Sequence, residues 1–344
     1  MGDPTRNALA EDALDVLLLD PSGRAATRRG RSYPIRELHR FLRRAAGRRL
    51  ERERVEERER FRTLAPLFPD VLRELLRKFP SPPTDPAWRR FNAGIVQQMV
   101  PRPPFAFLRR PPLIPNVYSD AYDAVAAAEL GEVERRLQAM NLSPYELLRE
   151  NWVGGPWVYD HRYLTSSALL KHLLQILFLS SETGVRLSEI RRVVEWGGGY
   201  GSLARLLYRF QPELNYVILD TPVMLAVQWL FLSTVLSPNR VVLPGSGERS
   251  IQNGSVHLES ASTYEGDGDP TDLFVSTFAL SESPQGLIER VDSRHWFGAE
   301  HLWLAHTPTN PRFPQWQTLE VAAVRSGAQL VPHPFRPIDR YACR

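Results

Sequence analysis

The sequence predicts an α/β chain, with a mostly parallel sheet over its second half behind a mainly helical first region. Three observations predict it. From Arg191 onward, short apolar strand runs alternate with helical patterns, as in a parallel sheet covered on both faces. A glycine-dense turn, Val193–Gly201 (VVEWGGGYG), joins the first of these strands to the first of these helices. Before residue 150 the apolar positions recur mainly at helical spacing.

The 344 residues are 43% hydrophobic and 24% charged, with eight Trp and fifteen Phe, so the chain can bury a sizeable core. That excludes a mainly disordered chain, a collagen and a coiled-coil rod. A single cysteine, Cys343, excludes an internal disulfide and a cysteine-based zinc site. No stretch near Met1 reads as a signal peptide. The longest uncharged run, Thr221–Asn239, is interrupted by Pro222, Gln228 and Pro238. Its apolar part is shorter than the roughly 20 residues a membrane span needs. The expectation is a cytoplasmic protein with no membrane partner.

Net charge is +4, and only two of the 43 basic residues are lysines. The excess is local. Arg24 to Arg62 holds fifteen Arg against six acids, +9, which leaves −5 for the remainder. Within it, Glu51–Arg60 (ERERVEERER) brings mixed charges together at i,i+3 and i,i+4 on a helix. This reads as a solvated, ion-paired helix and not as an arm for nucleic acid. Leu64, Leu67, Val71, Leu72, Leu75 and Leu76 continue at helical spacing. Ten of the 29 prolines then fall in Pro80–Pro115. Proline donates no backbone hydrogen bond, so Pro101–Pro115 is expected to run as an extended surface loop. Asp120–Met140 reads as a helix, and Ser143 with Glu146 as a capping box. The stretch Asn151–Tyr163 (NWVGGPWVYDHRY) breaks regular structure and gathers Trp152, Trp157, Tyr159 and Tyr163. Those rings suit either core packing or a platform for a sugar ring or an aromatic aglycone. Ser166–Leu179 is a strongly apolar helix. The domain boundary is expected near residue 150, with 1–150 an accessory or lid region and 151–344 the sheet domain.

In the second half the expected strands are Val193–Trp196, Tyr216–Leu219, Val241–Leu243, Val256–Leu258, Leu273–Phe278, His301–His306 and Gln329–Pro332. Helices are expected at Ser202–Phe210, Pro222–Leu236 and Trp316–Ser326. Pro222–Leu236 is apolar nearly all round. It is expected to lie under the N-terminal region or at a contact between subunits of a homo-oligomer.

The glycine turn carries the chemistry. Gly197, Gly199 and Gly201 alternate between Glu195 and a helix that opens at Ser202. Without a Cβ the backbone can approach a ligand closely, beside a helix N-terminus at the carboxyl end of a strand. The second strand ends at Asp220, where a carboxylate can accept hydrogen bonds from both hydroxyls of a ribose. Turn and acid together point to an adenosine-containing cofactor. Gly199–Ala204 also satisfies the G-x-G-x-x-A dinucleotide pattern, so a nicotinamide oxidoreductase stays open. Glu195 weighs against it, because an acid there repels a pyrophosphate and attracts an ammonium.

VVEWGGGYGSLARLL, followed by YVILDTP and a long apolar helix, resembles the Rossmann-like class I methyltransferases. More narrowly it resembles a bacterial family of sugar O-methyltransferases. DLFVSTFALSE (Asp272–Glu282) resembles that family's fourth strand, although Ser283-Pro284 departs from its usual continuation. The resemblance covers roughly residues 150–344. It implies a seven-stranded, mostly parallel sheet, S-adenosylmethionine as methyl donor and a small-molecule acceptor, glycosylated or itself a sugar. An amine or a non-sugar hydroxyl is the alternative acceptor. The cofactor-binding residues it implies are Glu195, Gly197, Gly198, Gly199, Tyr200, Gly201, Asp220, Thr221 and Thr277. The candidates for a catalytic base are Glu282, His306 and His161, with His295 weaker. No spacing of His and carboxylates forms a metal motif.

Overall fold

The computed structural model describes residues 51–82, 86–113, 125–245, 254–308 and 310–344. The chain forms two compact units, Met1–Glu59 and Arg60–Arg344. The described part of the first unit, residues 51–59, is helical, and Arg54 pairs with Glu51 at 3.8 Å. The rest of the arginine-rich segment before residue 51 lies outside the described residues.

In the second unit, β1 (Arg192–Trp196), β2 (Asn215–Asp220), β3 (Val241–Val242), β4 (Val256–Ser260), β5 (Leu273–Thr277), β6 (His301–His306), β7 (Gln329–Pro332) and β8 (Arg340–Cys343) form one sheet. Their order is β3-β4-β2-β1-β5-β6-β8-β7. Neighbours from β3 to β6 are parallel, and β8 runs antiparallel between β6 and β7. The fold is Rossmann-like α/β. The sheet has eight strands where seven were expected, because the short RYAC run of β8 is a strand that its few apolar residues did not announce. From β1 the strands are added one way through β2 and the other way through β5. That reversal is a topological switch point.

The strands alternate between two cores. Val193, Tyr216 and Ile218 face one apolar cluster, and Val194, Val217 and Leu219 face the other. Buried on both sides, β1 and β2 read as nearly continuous apolar runs. The helices are α1 (Phe68–Lys78), α2 (Pro86–Met99), α3 (Ala126–Ala139), α4 (Ser167–Thr183), α5 (Ser202–Phe210), α6 (Pro222–Val235), α7 (Gln285–Ser293) and α8 (Trp316–Arg325). The Ser166 hydroxyl caps α4 by accepting from Leu169 N–H at 3.1 Å, and Gly184 ends it in the left-handed conformation.

α6 is buried all round, and α1, α2 and β4 pack on it. Its apolar circumference is satisfied within one chain, so it gives no reason to expect a subunit contact. α3 packs on α4 in the same way. Residues 60–113 and 125–150 therefore share the compact unit of the sheet.

Two local expectations are corrected. Within Pro101–Pro115, Phe107, Leu108 and Leu113 are buried, so the described part is no extended surface loop. Leu108 N–H donates to the Gly154 carbonyl at 3.0 Å, and Gly154 N–H donates to the Phe105 carbonyl at 2.9 Å. Arg109 donates to the Gly155 carbonyl and, at 3.0 Å, to that of Pro156. The proline segment and the Gly154-Gly155 turn thus clasp each other. Ser143 precedes only a four-residue helical turn, Pro144–Leu147, and makes no side-chain cap. No described helix is long and apolar enough to cross a membrane.

Candidate functional site

In an open α/β sheet, ligands bind beyond the carboxyl ends of the strands at the switch point. A cavity of about 390 Å³ lies there, lined by the turn after β1, the ends of β2 and β5 and one face of α4. Ligand pockets commonly span roughly 300–1,000 Å³.

Gly197, Gly199 and Gly201 adopt φ of 76°, 54° and 98°, the left-handed region that glycine enters at no steric cost. Packing adds a second requirement. A Cβ on Gly197 would lie 2.0 Å from the Ala279 Cβ, and one on Gly201 2.8 Å from Leu232. The glycines therefore serve the protein's own close packing as well as any approach to a ligand. Gly201 is the N-cap of α5 and offers no side chain to its first N–H groups.

Glu195, Gly197, Gly198, Gly199, Tyr200, Asp220, Thr221 and Thr277 all border this cavity. Gly201 does not border it; it closes the turn behind, its N–H donating to the Gly198 carbonyl at 2.8 Å. The Tyr200 ring is buried edge-on against Phe231, centroids 4.9 Å apart.

Both carboxyls border the cavity beside the turn. Glu195 is 1% exposed and accepts from the Tyr216 hydroxyl at 3.0 Å. Burial pushes its pKa up to about 8; the Tyr216 bond opposes this and the Asp220 charge adds to it. Asp220 accepts from Thr221 N–H and from Gln228 Nε2, each at 2.7 Å, with Gly198 N–H also facing it. Burial raises its pKa to about 7 against those bonds. Gln228 Nε2 also donates to the Gly199 carbonyl at 2.9 Å, so one carboxamide holds turn and acid together.

At the other end of the cavity, Glu282 follows β5. Burial raises its pKa to about 7, and the Arg312 and Lys171 charges pull it down. Before it, Phe278 holds a φ of 73°, which is strained for a bulky side chain. Its N–H donates to the Ala305 carbonyl at 2.7 Å, and the Lys171 ammonium lies 4.2 Å from its ring centre. Thr307 and Asp339, joined by a 2.7 Å hydrogen bond, close this end.

The remaining candidates fall elsewhere. His306 is fully buried off the cavity, with Nε2 2.7 Å from Glu320, which also accepts from Arg340 at 2.8 Å. Burial lowers the His306 pKa. That is a structural imidazole, not a base placed for an acceptor. His161 is exposed on the turn closed by the Asp160–Thr165 bridge, and His295 is exposed after α7; neither borders the cavity. Trp152, Trp157 and Tyr159 do not border it either, and Trp157 and Tyr159 pack on the core, which removes the sugar platform. Among the described residues no group of three His, Cys, Asp or Glu is placed to hold a metal.

Lys171, His172 and Gln175 on α4 line the cavity and were missed. Burial, then the Lys171 and Arg205 charges, lowers the His172 pKa to about 3, so the imidazole is neutral, and its Nδ1 has no hydrogen-bond partner among the described residues. Their signal was present in SALLKHLLQILFL: polar residues on an otherwise apolar helix mark the stripe that faces something other than core. Gln228 stands out in α6 for the same reason.

No protein-family model and no curated protein matches the chain. Solved structures do. The StiE O-MT segment is 18% identical over 47% of this chain and 52% of its own, with a TM-score of 0.33. The mitomycin 7-O-methyltransferase MmcR is 13% identical over 62% and 66%, at 0.34. The pyocyanin biosynthetic protein PhzM is 15% identical over 65% and 67%, at 0.34. The chain thus spans about half to two thirds of the length of those proteins.

Proposed function

We propose that this chain is an S-adenosylmethionine-dependent methyltransferase (EC 2.1.1 type) acting on a hydroxyl of a small molecule, a sugar or sugar-bearing natural product. The observation that carries the reading is the pair of carboxyls, Glu195 and Asp220, that both border one cavity beside the glycine turn. A diphosphate laid across that turn would meet both acids. An ammonium at Glu195 and a ribose at Asp220 would each supply the hydrogen-bond donors that a carboxylate accepts. The first N–H groups of α5 suit a carboxylate, as helix N-termini do. These features favour the sulfonium donor over the nicotinamide reading of Gly199–Ala204.

Bound there, S-adenosylmethionine supplies an electrophilic methyl group and leaves as the neutral thioether S-adenosylhomocysteine. The residues of the chain hold the acceptor in line and take its proton. Glu282, with a pKa near neutrality, is the base of choice, since general bases work best near the operating pH. Lys171, His172, Gln175, Thr307 and Asp339 give the acceptor end a dense set of donors and acceptors, which favours a polyhydroxylated acceptor over an apolar one.

The test uses proton linkage. A carboxyl raised from 4.5 to about 8 keeps its proton in the empty protein at neutral pH, and the folded state binds it more tightly than the unfolded chain. Glu195 therefore costs stability as pH rises from about 4.5 to about 8, and a bound ammonium reverses this by favouring the ionised form. S-adenosylhomocysteine should release a proton on binding and bind up to about tenfold more tightly per pH unit between about pH 6 and pH 7.5. Calorimetry in buffers of different ionisation enthalpy measures both. Affinity independent of pH, with no proton released, would remove Glu195 from the ammonium site.

A further inference from the structure

Residues far from the sheet loops also reach the cavity. Pro82 and, on α2, Trp88, Phe91 and Asn92 stand in its wall. Two contacts fix the place. Asn92 Nδ2 donates to the hydroxyl of Thr221, next to Asp220, at 3.5 Å. The hydroxyl of Ser262, just past β4, donates to the Pro80 carbonyl at 2.7 Å. α2 also packs on α6, the helix that starts at the end of β2. This segment therefore lies over the ends of β2 and β4. Glu282, Thr307 and Asp339 belong to the other side of the switch point.

Trp88 and Phe91 meet edge to face, with centroids 5.0 Å apart and planes at 86°. Phe91 is buried and Trp88 half-buried, so a buried ring anchors an indole at the cavity wall. An indole held by packing offers a purine a flat surface at little cost in rotamer freedom. The Asn92 carboxamide sits at the long limit of its bond to Thr221, and it can turn toward a hydroxyl beside Asp220 without giving up a strong contact.

We propose that α2 forms the outer wall of a purine-nucleoside pocket, with Trp88 against the base and Asn92 at the sugar edge. This rests on the adenosyl reading of the cavity, and extends it to a helix outside the stretch that carries the glycine motif. The N-terminal half then takes part directly in cofactor binding.

Calorimetric titration of the full chain with S-adenosylhomocysteine and with adenosine tests this. The wild type binds both. Trp88→Ala weakens both about tenfold, whereas Trp88→Phe, which keeps an aromatic face, stays within about threefold. If Trp88→Ala does not fold, Trp88→Leu keeps apolar volume without the π-face and carries the same expectation. Asn92→Ala weakens both ligands with the Trp88–Phe91 contact intact. Unchanged affinity of a folded Trp88→Ala or Trp88→Leu variant, in a protein that binds S-adenosylhomocysteine, overturns the α2 wall and leaves the cofactor reading standing. Failure of the wild type to bind either ligand overturns both.

Discussion

Gly197→Ala is expected to lose S-adenosylhomocysteine binding and about 2–5 kcal/mol of stability. The left-handed backbone alone disfavours any residue with a Cβ by roughly 1–2 kcal/mol. The added methyl would also sit 2.0 Å from the Ala279 Cβ. Ala279 cannot retreat easily. It lies in the turn held by Leu280 N–H on the Ser276 hydroxyl at 3.0 Å, and that hydroxyl in turn donates to the Trp196 carbonyl at 3.0 Å. The strain would therefore move the glycine turn itself, and with it Glu195 and Gly198. Gly268→Ala separates the two causes, because Gly268 has a φ of 86° with nothing within 4 Å of the new Cβ. Urea denaturation of both variants should show a small loss for Gly268→Ala and a much larger one for Gly197→Ala. Equal losses, with cofactor affinity kept, would contradict the packing account of this turn.

Arg205→Met should destabilise the protein by about 3–5 kcal/mol, the usual cost of leaving one member of a buried ion pair alone. Arg205 is 2% exposed, lies 3.3 Å from Glu150 and donates to the Asn151 side chain at 3.0 Å. Glu150 also accepts from the Ser166 hydroxyl that caps α4. One pair thus ties α5, which follows the glycine turn, to the start of the helix that carries Lys171, His172 and Gln175. Removing the arginine leaves a carboxyl 9% exposed beside that cap. Glu150→Gln combined with Arg205→Met should recover more than half of the loss, since no uncompensated charge then remains. A double variant as unstable as the single one would mean that the guanidinium acts by packing and by its bond to Asn151, not by charge.

The alternation of strands and helices after Arg191 placed most of the sheet correctly, because β1, β2 and β5 are buried on both faces and so read as continuous apolar runs. The glycine-turn end of the cavity was legible for a related reason. Positive φ at three alternate positions demands glycine, and a strand end demands little else, so Glu195 and Asp220 stand out. The opposite end of the cavity was only partly legible. Lys171 and His172 reach the cavity by helix periodicity, and Thr307 and Asp339 by the pairing of β6 with β8, a contact between distant stretches that local pattern does not encode. His306 misled because a histidine at a strand end looks the same whether it faces a ligand or, as here, Glu320. The proline segment misled because its composition reports missing donors and not the burial of Phe107 and Leu108.

The proposed ligand is a sulfonium-type adenosyl compound lying across the glycine turn, held by Glu195 and Asp220. Parallel titrations of the full chain with S-adenosylhomocysteine and with NAD(P) test it most directly. Saturable micromolar binding of the first is expected, weakened by roughly 1–3 kcal/mol in Asp220→Ala through lost charged hydrogen bonds, with none of the second. Binding of the nicotinamide dinucleotide alone would contradict it.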